Sequence, residues 1–226
     1  MKNCMSKLIA IIYIYTHFVY NMSMVVINEL SQLARIRKIL ESQHGSLFTS
    51  DLANFGIPRT YLSDLQRNGE IERVSRGSYR AVNSIEDELL SFQAKYKVSI
   101  YSHETALYLH DLTDRMLLSY SVSVPVGYHS VLLNMSGQKI YYVNRNLFEL
   151  GSILMKSPHG NDIRTFNLER TICDVLRSRN RVDVQLINES LKRYVVKKER
   201  NLDLLYGYAK QFRIHKIVRQ YIEVLL

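Results

Sequence analysis

Two cysteines in 226 residues, Cys4 and Cys173, are too few and too far apart for a disulfide framework or an all-thiolate zinc site. Their scarcity fits a reducing, cytosolic protein. Glycine is also sparse, at nine residues, and the chain holds no P-loop, no G-x-S-x-G elbow and no convincing paired carboxylates. Neither an enzyme nor a cofactor is expected. No apolar run reaches the roughly 20 residues that a membrane-crossing helix requires. What is present is ordinary globular material, 46% hydrophobic and 23% charged, which excludes disorder and a collagen-like repeat. Thirty Lys plus Arg against 21 Asp plus Glu give a net charge of +9, which favours a polyanionic or acidic partner.

The first 23 residues stand apart. Lys2 and Lys7 precede a mostly apolar run from Leu8 to Tyr20, interrupted by Thr16 and His17. A signal peptide has such a basic start, but Asn21, Met22, Ser23 and Met24 offer no small-x-small cleavage site. A membrane-associating segment is a second reading. A third is translation from Met22 or Met24, and the run is expected to be a dispensable extension, with no membrane partner.

From Ile27 onward, Leu30, Leu33, Ala34, Ile36, Ile39 and Leu40 recur at helical spacing, predicting an amphipathic helix that ends near Gly45. Thr49 or Ser50 is expected to cap a short second helix closed by Asn54, Phe55 and Gly56. Pro58 then opens a third helix running to Asn68 and Gly69. Two β-prone runs, Ile71 to Ser75 and Ser78 to Val82, joined by Arg76 and Gly77, read as a hairpin.

Three helices followed by a hairpin give the order of a winged helix-turn-helix, expected over residues 24–87. On the third helix Leu62 and Leu65, with Ile57, face inward, while Arg59, Thr60, Ser63, Gln66 and Arg67 fall on the other side. These are groups that base edges and phosphates accept. Arg73, Arg76 and Arg80 add three cations on the hairpin. The competing reading is a small packing domain with a solvated basic face. Residues 24–87 carry eight basic and eight acidic side chains, a net of zero, although five arginines face three acids between Arg59 and Arg80.

Residues 88–226 read as a larger α+β domain ending in helices. Ser102 is expected to cap a helix through His110, ending at an Asp111 to Asp114 turn. Strands are expected at Tyr120 to Val124, Lys139 to Val143 and Ile163 to Phe166, and Asn167 to cap a helix from Leu168 to Arg177. Helices at Val184 to Val195, Leu202 to Phe212 and Ile214 to Leu226 complete the pattern.

The run LFTSDLANFGIPRTYLSDLQRNGEIERVSRGSYR, followed by SHETALYLHDLTDR, VSVPVGY and FNLERTICDVLRSR, closely resembles the AbiEi family, antitoxins of type IV abortive-infection toxin–antitoxin pairs. The resemblance covers Ile27 to Leu226, and the order SHETAL, strand region, LERTICD is its most specific part. It implies a winged-helix domain that binds inverted repeats in the promoter of its own operon, for autoregulation. It also implies a C-terminal domain that neutralises a cognate nucleotidyltransferase-like toxin, in a phage-defence role. The residues by themselves leave a second possibility, a winged-helix regulator whose C-terminal domain senses a small molecule.

His103 and His110 lie seven apart, not the four usual for a zinc pair on a helix, so no metal site is expected. The resemblance suggests that Ser102, His103 and Glu104 start a helix by capping. Cys173 reads as a buried thiol, and Arg170 with Asp174 as an ordinary i, i+4 helix pair. Most of the positive charge lies after Glu88, where Arg177, Arg179, Arg181, Lys192, Arg193, Lys197 and Lys198 form a candidate antitoxin surface. A solvated helical surface, an acidic toxin, further DNA contact and RNA are all compatible with it.

Overall fold

The computed structural model describes residues 32–225, which divide into two compact units at the Glu86/Asp87 boundary. Both contain helices and a sheet, so the chain is α+β. The apolar run of residues 8–20 and the start of the first expected helix lie outside the described residues.

In the first unit, α1 (residues 32–42) buries Ile36, Ile39 and Leu40. It ends where Gly45, at φ 89°, donates its N–H to the Leu40 carbonyl at 2.7 Å. A Cβ at Gly45 would lie 2.3 Å from that of Ser84, so glycine is required there twice over. Strand β1 (Ser46–Phe48), helices α2 (Thr49–Asn54) and α3 (Thr60–Arg67), and strands β2 (Ile71–Ser75) and β3 (Ser78–Ala81) follow. The sheet order is β1-β3-β2, antiparallel throughout, with Leu47 opposite Tyr79 and Ile71 opposite Ala81. Leu47, Leu52, Ile57, Leu62, Leu65 and Ile71 close a core over α1.

Three expectations need correction here. β1 has no counterpart in the sequence reading, because three residues hold too short an alternation to register. Its presence moves the helix cap from Thr49 or Ser50 back to Phe48, whose N–H is held by the Asp51 carboxylate at 3.0 Å. Pro58 does not open α3, which starts at Thr60 with Arg59 as its N-cap residue.

The second unit runs through α4 (Glu88–Lys95), β4 (Ile100–Tyr101), α5 (His103–Leu109), β5 (Ser121–Pro125), α6 (Val131–Asn134), β6 (Lys139–Val143), α7 (Arg145–Phe148), β7 (Ser152–Lys156) and β8 (Asp162–Phe166). Helices α8 (Leu168–Arg177), α9 (Val184–Val196), α10 (Leu202–Gln211) and α11 (His215–Glu223) complete it. Its sheet has the order β6-β5-β4-β8-β7, with β5/β6 and β4/β8 parallel and the other two pairs antiparallel. Helix α8 packs with α5, α9, α10 and α11 around Leu107, Ile172, Leu176, Leu191, Leu205 and Val218. A second cluster, Tyr101, Val122, Val124, Leu133 and Ile163 with Leu89 and Tyr96, fills the space beneath α4 and α6.

The sequence reading omits β4, β7 and the helices α4, α6 and α7, of which three are only two to four residues long. The C-terminal helix is shorter than expected, ending at Glu223 rather than Leu226, which lies outside the described residues.

Candidate nucleic-acid interface and the buried centre of the second unit

Burial of Leu62 and Leu65 fixes the rotation of α3, and this leaves Arg59, Thr60, Ser63, Gln66 and Arg67 exposed. Gly77 gives the β2–β3 connection its turn at φ 82°, and the Gly77 carbonyl accepts from the Thr49 N–H at 2.9 Å. The tip of the hairpin, with Arg76, is thereby tied to the first residue of α2.

The acids of this unit are largely taken up within it. Glu70 accepts from Nε and Nη2 of Arg37, at 2.9 and 3.0 Å, which holds its carboxyl below the usual range. Glu72 is paired with Arg80, and Asp64 lies 3.6 Å from Arg67. Arg59, Arg73 and Arg76 are exposed and form no ion pair among the described residues. Three arginines thus stay without a counter-ion among the described residues, while Glu70, Glu72 and Asp64 lie against other arginines. Arg80 is half-buried against Glu72, so its charge is already balanced.

The residues of the second unit's two most specific motifs meet in its interior. His103, at φ 45°, is fully buried and stacks on Tyr141, with centroids 3.4 Å apart and planes within 10°. Its Nδ1 and Nε2 lie 3.0 Å from the hydroxyls of Ser102 and Ser178. Burial, then the charges of Arg177, Arg170 and Arg181, hold the imidazole pKa well below its ordinary value, so the ring is neutral. Ser102 sits at the N-cap position of α5 but its hydroxyl makes no cap bond; it accepts instead from Ser123 Oγ at 2.9 Å. The expected capping role is corrected accordingly: the serine joins the helix start to β5. Glu104 accepts from Ser121 Oγ at 2.6 Å and from Lys139 Nζ at 2.8 Å. His110 bonds the Phe166 carbonyl at 2.7 Å, a different partner from those of His103. Among the described residues no group of three or more metal-ligating side chains converges.

Arg170 and Asp174 form the expected i, i+4 helix pair, but in the interior. Both side chains are 0% exposed, with Nε to Oδ2 at 2.9 Å. Arg170 Nη1 donates to the carbonyls of Leu147 and Leu150 at 2.9 and 2.6 Å, and its guanidinium lies over the rings of Phe166 and Phe212 at 4.1 and 4.3 Å. Burial pushes the Asp174 carboxyl up and the Arg170 guanidinium down, each opposed by the other's charge. Every residue from Leu168 to Leu176 is buried, so α8 has no solvent face on which a surface pair could sit. Cys173 is buried beside them, its thiol pushed up to about 12 by desolvation.

The candidate basic surface is dispersed. Arg177 reaches toward Asp174 at 3.7 Å and lies over Phe212 at 5.0 Å. Arg181 lies over Tyr141 at 4.4 Å and reaches the Ile140 carbonyl at 3.4 Å, while Arg193 is paired with Asp114 and Glu189. Arg179, Lys192 and Lys198 are exposed and Lys197 is half-buried, without ion pairs among the described residues. Sequence reasoning missed the internal use of Arg170, Arg177 and Arg193, for which spacing along the chain holds no signal beyond i, i+4.

Comparison with known proteins bears on the fold and on the first unit. The crystal structure of the RV2827C protein from Mycobacterium tuberculosis superposes with a TM-score of 0.55 at 12% identity, covering 85% of this chain and 76% of that one. This is a likeness of fold. Among curated proteins, none matches. Residues 34–82, from within α1 to just beyond β3, match the family model described as "Transcriptional regulator, AbiEi antitoxin". Over that segment, therefore, the chain is similar to the AbiEi antitoxin transcriptional regulators, in agreement with the sequence resemblance there.

Proposed function

We propose that the chain is an autoregulating antitoxin, whose residues 24–87 form a winged helix-turn-helix on double-stranded promoter DNA with inverted repeats. In this reading α3 enters the major groove with Arg59, Thr60, Ser63, Gln66 and Arg67 toward base edges. Arg73 and Arg76 on the hairpin meet flanking backbone, and Arg80 orients the hairpin through Glu72. The observation that carries the reading is that Arg59, Arg73 and Arg76 are exposed and form no ion pair among the described residues, while Glu70, Glu72 and Asp64 lie against other arginines. Residues 88–226 are the antitoxin domain, which neutralises a cognate nucleotidyltransferase-like toxin; no catalytic role and no cofactor belong to it. The family match over residues 34–82 supports the regulator part of this reading.

A gel-shift titration of the operon's own promoter across salt tests it. Replacing Arg59 and Arg76 with Ala should cost about 1–3 kcal/mol for a lost base contact and lower the salt slope by about one for each lost phosphate contact. Unchanged affinity and slope in the double variant would refute the recognition-helix assignment.

A further inference from the structure

Helix α3 carries a carboxylate on the face that the DNA-binding reading turns toward the duplex. Burial of Leu62 and Leu65 sets the rotation of the helix. At 3.6 residues per turn, Thr60, Ser63, Asp64 and Arg67 then fall within about 50° of the line opposite those two leucines, with Arg59 and Gln66 further round on the flanks. All four are exposed. Asp64 is the single acidic residue from Arg59 to Arg67, and it stands among the most outward side chains of the helix.

The fold gives this acid little to do. Glu70 accepts two N–H groups of Arg37, Glu72 is paired with Arg80, and Asp51 accepts from the Phe48 N–H and from Gln43 Nε2 at 3.0 and 3.2 Å. The side chain of Asp64 has one contact among the described residues, Oδ1 to Nη1 of Arg67 at 3.6 Å, which is too long for a hydrogen bond. The two side chains are 52% and 78% exposed, so the pair contributes little stability, and aspartate is a poor residue for a helix interior. Against DNA the same carboxylate is selective. It offers acceptors only, so phosphates repel it and a base edge accommodates it only by supplying a donor. The N4 amine of cytosine is such a donor, and the guanine opposite shows two acceptors that suit a guanidinium, which Arg67 holds close by. Facing thymine or guanine, whose major-groove edges present acceptors, the carboxylate is desolvated and unmet, a penalty that rejects the wrong sequence.

We propose that Asp64 is a specificity-determining residue, whose carboxylate accepts from the N4 amine of a promoter cytosine while Arg67 contacts a guanine beside it. This rests on the DNA-binding reading above. The full-length protein and its Asp64→Ala, Arg67→Ala and doubly substituted variants are titrated by gel shift against three kinds of duplex: the operon's own promoter, a random sequence of equal length, and promoters in which each cytosine in turn becomes thymine, with adenine opposite. All variants should keep the wild-type melting profile, since both side chains are exposed. Asp64→Ala should bind the random duplex about threefold more tightly, having lost a repelled charge, and the promoter about fivefold more weakly. One cytosine replacement should weaken the wild type by about tenfold and Asp64→Ala by less than about twofold. An unchanged preference for promoter over random duplex in Asp64→Ala overturns the proposal, as does a set of replacements that all cost that variant as much as the wild type. A double variant no less specific than Arg67→Ala shows that the acid acts only by orienting Arg67, and overturns it too. If the wild type has no preference for the promoter and the Arg59, Arg76 variant binds unchanged, the DNA-binding reading fails and this inference with it. If the wild type prefers the promoter and that variant is weakened, while Asp64→Ala keeps the preference, this inference fails alone.

Discussion

Removing the Asp174 carboxylate should unfold the second unit more readily than removing any exposed acid. Asp174→Ala leaves the Arg170 guanidinium buried without its counter-charge, and breaking such a pair from one side costs about 3–5 kcal/mol. For a unit of this size that lowers the melting midpoint by about 6–20 °C. Arg177→Ala is the control: its nitrogen is 3.7 Å from the other Asp174 oxygen and the side chain is partly exposed, so about 1 kcal/mol is expected. Replacing both buried charges, Arg170→Met with Asp174→Leu, should not restore stability. The carbonyls of Leu147 and Leu150 lose their donor, at about 1–3 kcal/mol each. Thermal melts followed by circular dichroism on the full chain measure all three variants. A midpoint for Asp174→Ala within 2 °C of wild type, taken as roughly the shift from a single weak contact, would refute the reasoning. Full recovery in the double variant would show that the two carbonyl bonds contribute nothing.

Acid should destabilise the second unit below about pH 6.5, because His103 and His110 have folded pKa values below the ordinary one and only the unfolded chain takes up their protons there. Each contributes up to about 1.4 kcal/mol per pH unit until its folded pKa is reached, and Asp174, with a raised pKa, acts in the opposite sense; melts from pH 7.5 to 5.5 should fall, and less steeply in His110→Gln. Gly45→Ala should destabilise the first unit by more than Gly69→Ala: both have positive φ, but only at Gly45 does a Cβ collide, with Ser84, whereas Gly69 faces open space and costs about 1 kcal/mol. Urea denaturation compares them, and equal losses would sink the steric argument. Cys173, buried and pushed up to about 12, should resist a disulfide reagent in the native protein at pH 8 and react only on unfolding.

Elements long enough to show their period were legible in the chain. Helix α8 lies at the expected residues with Asn167 capping it by accepting from the Arg170 N–H, and β6 spans the expected Lys139 to Val143. The outward side of α3 was legible because Leu62 and Leu65 leave only one way to rotate an eight-residue helix. Strands β1 and β4, of three and two residues, were not, since so short a segment holds no alternation and exists only because a neighbouring strand supplies its hydrogen bonds. The role of Ser102 was misread for a related reason: serine before a helix normally caps it, and here a competing hydroxyl from β5 takes its oxygen.

By itself the sequence determined the α+β composition, the glycine-marked ends of α1 and α3, and which side chains of α3 meet water. It also set the sign of the net charge. Only the tertiary structure decided what each charge does. Arg37 and Glu70 are 33 positions apart, Arg193 and Asp114 are 79 apart, and the fold joins both pairs, while Arg59 and Arg76 form no ion pair among the described residues. Arg170 and Asp174 have the spacing of any helix pair, yet α8 lies inside the second unit, so the same spacing yields a desolvated ionic centre instead of a solvated contact. The physical reason is that periodicity is written in neighbouring residues, whereas the energy of a charge depends on its distance to partners and on the water around it. Both are set by which elements pack together.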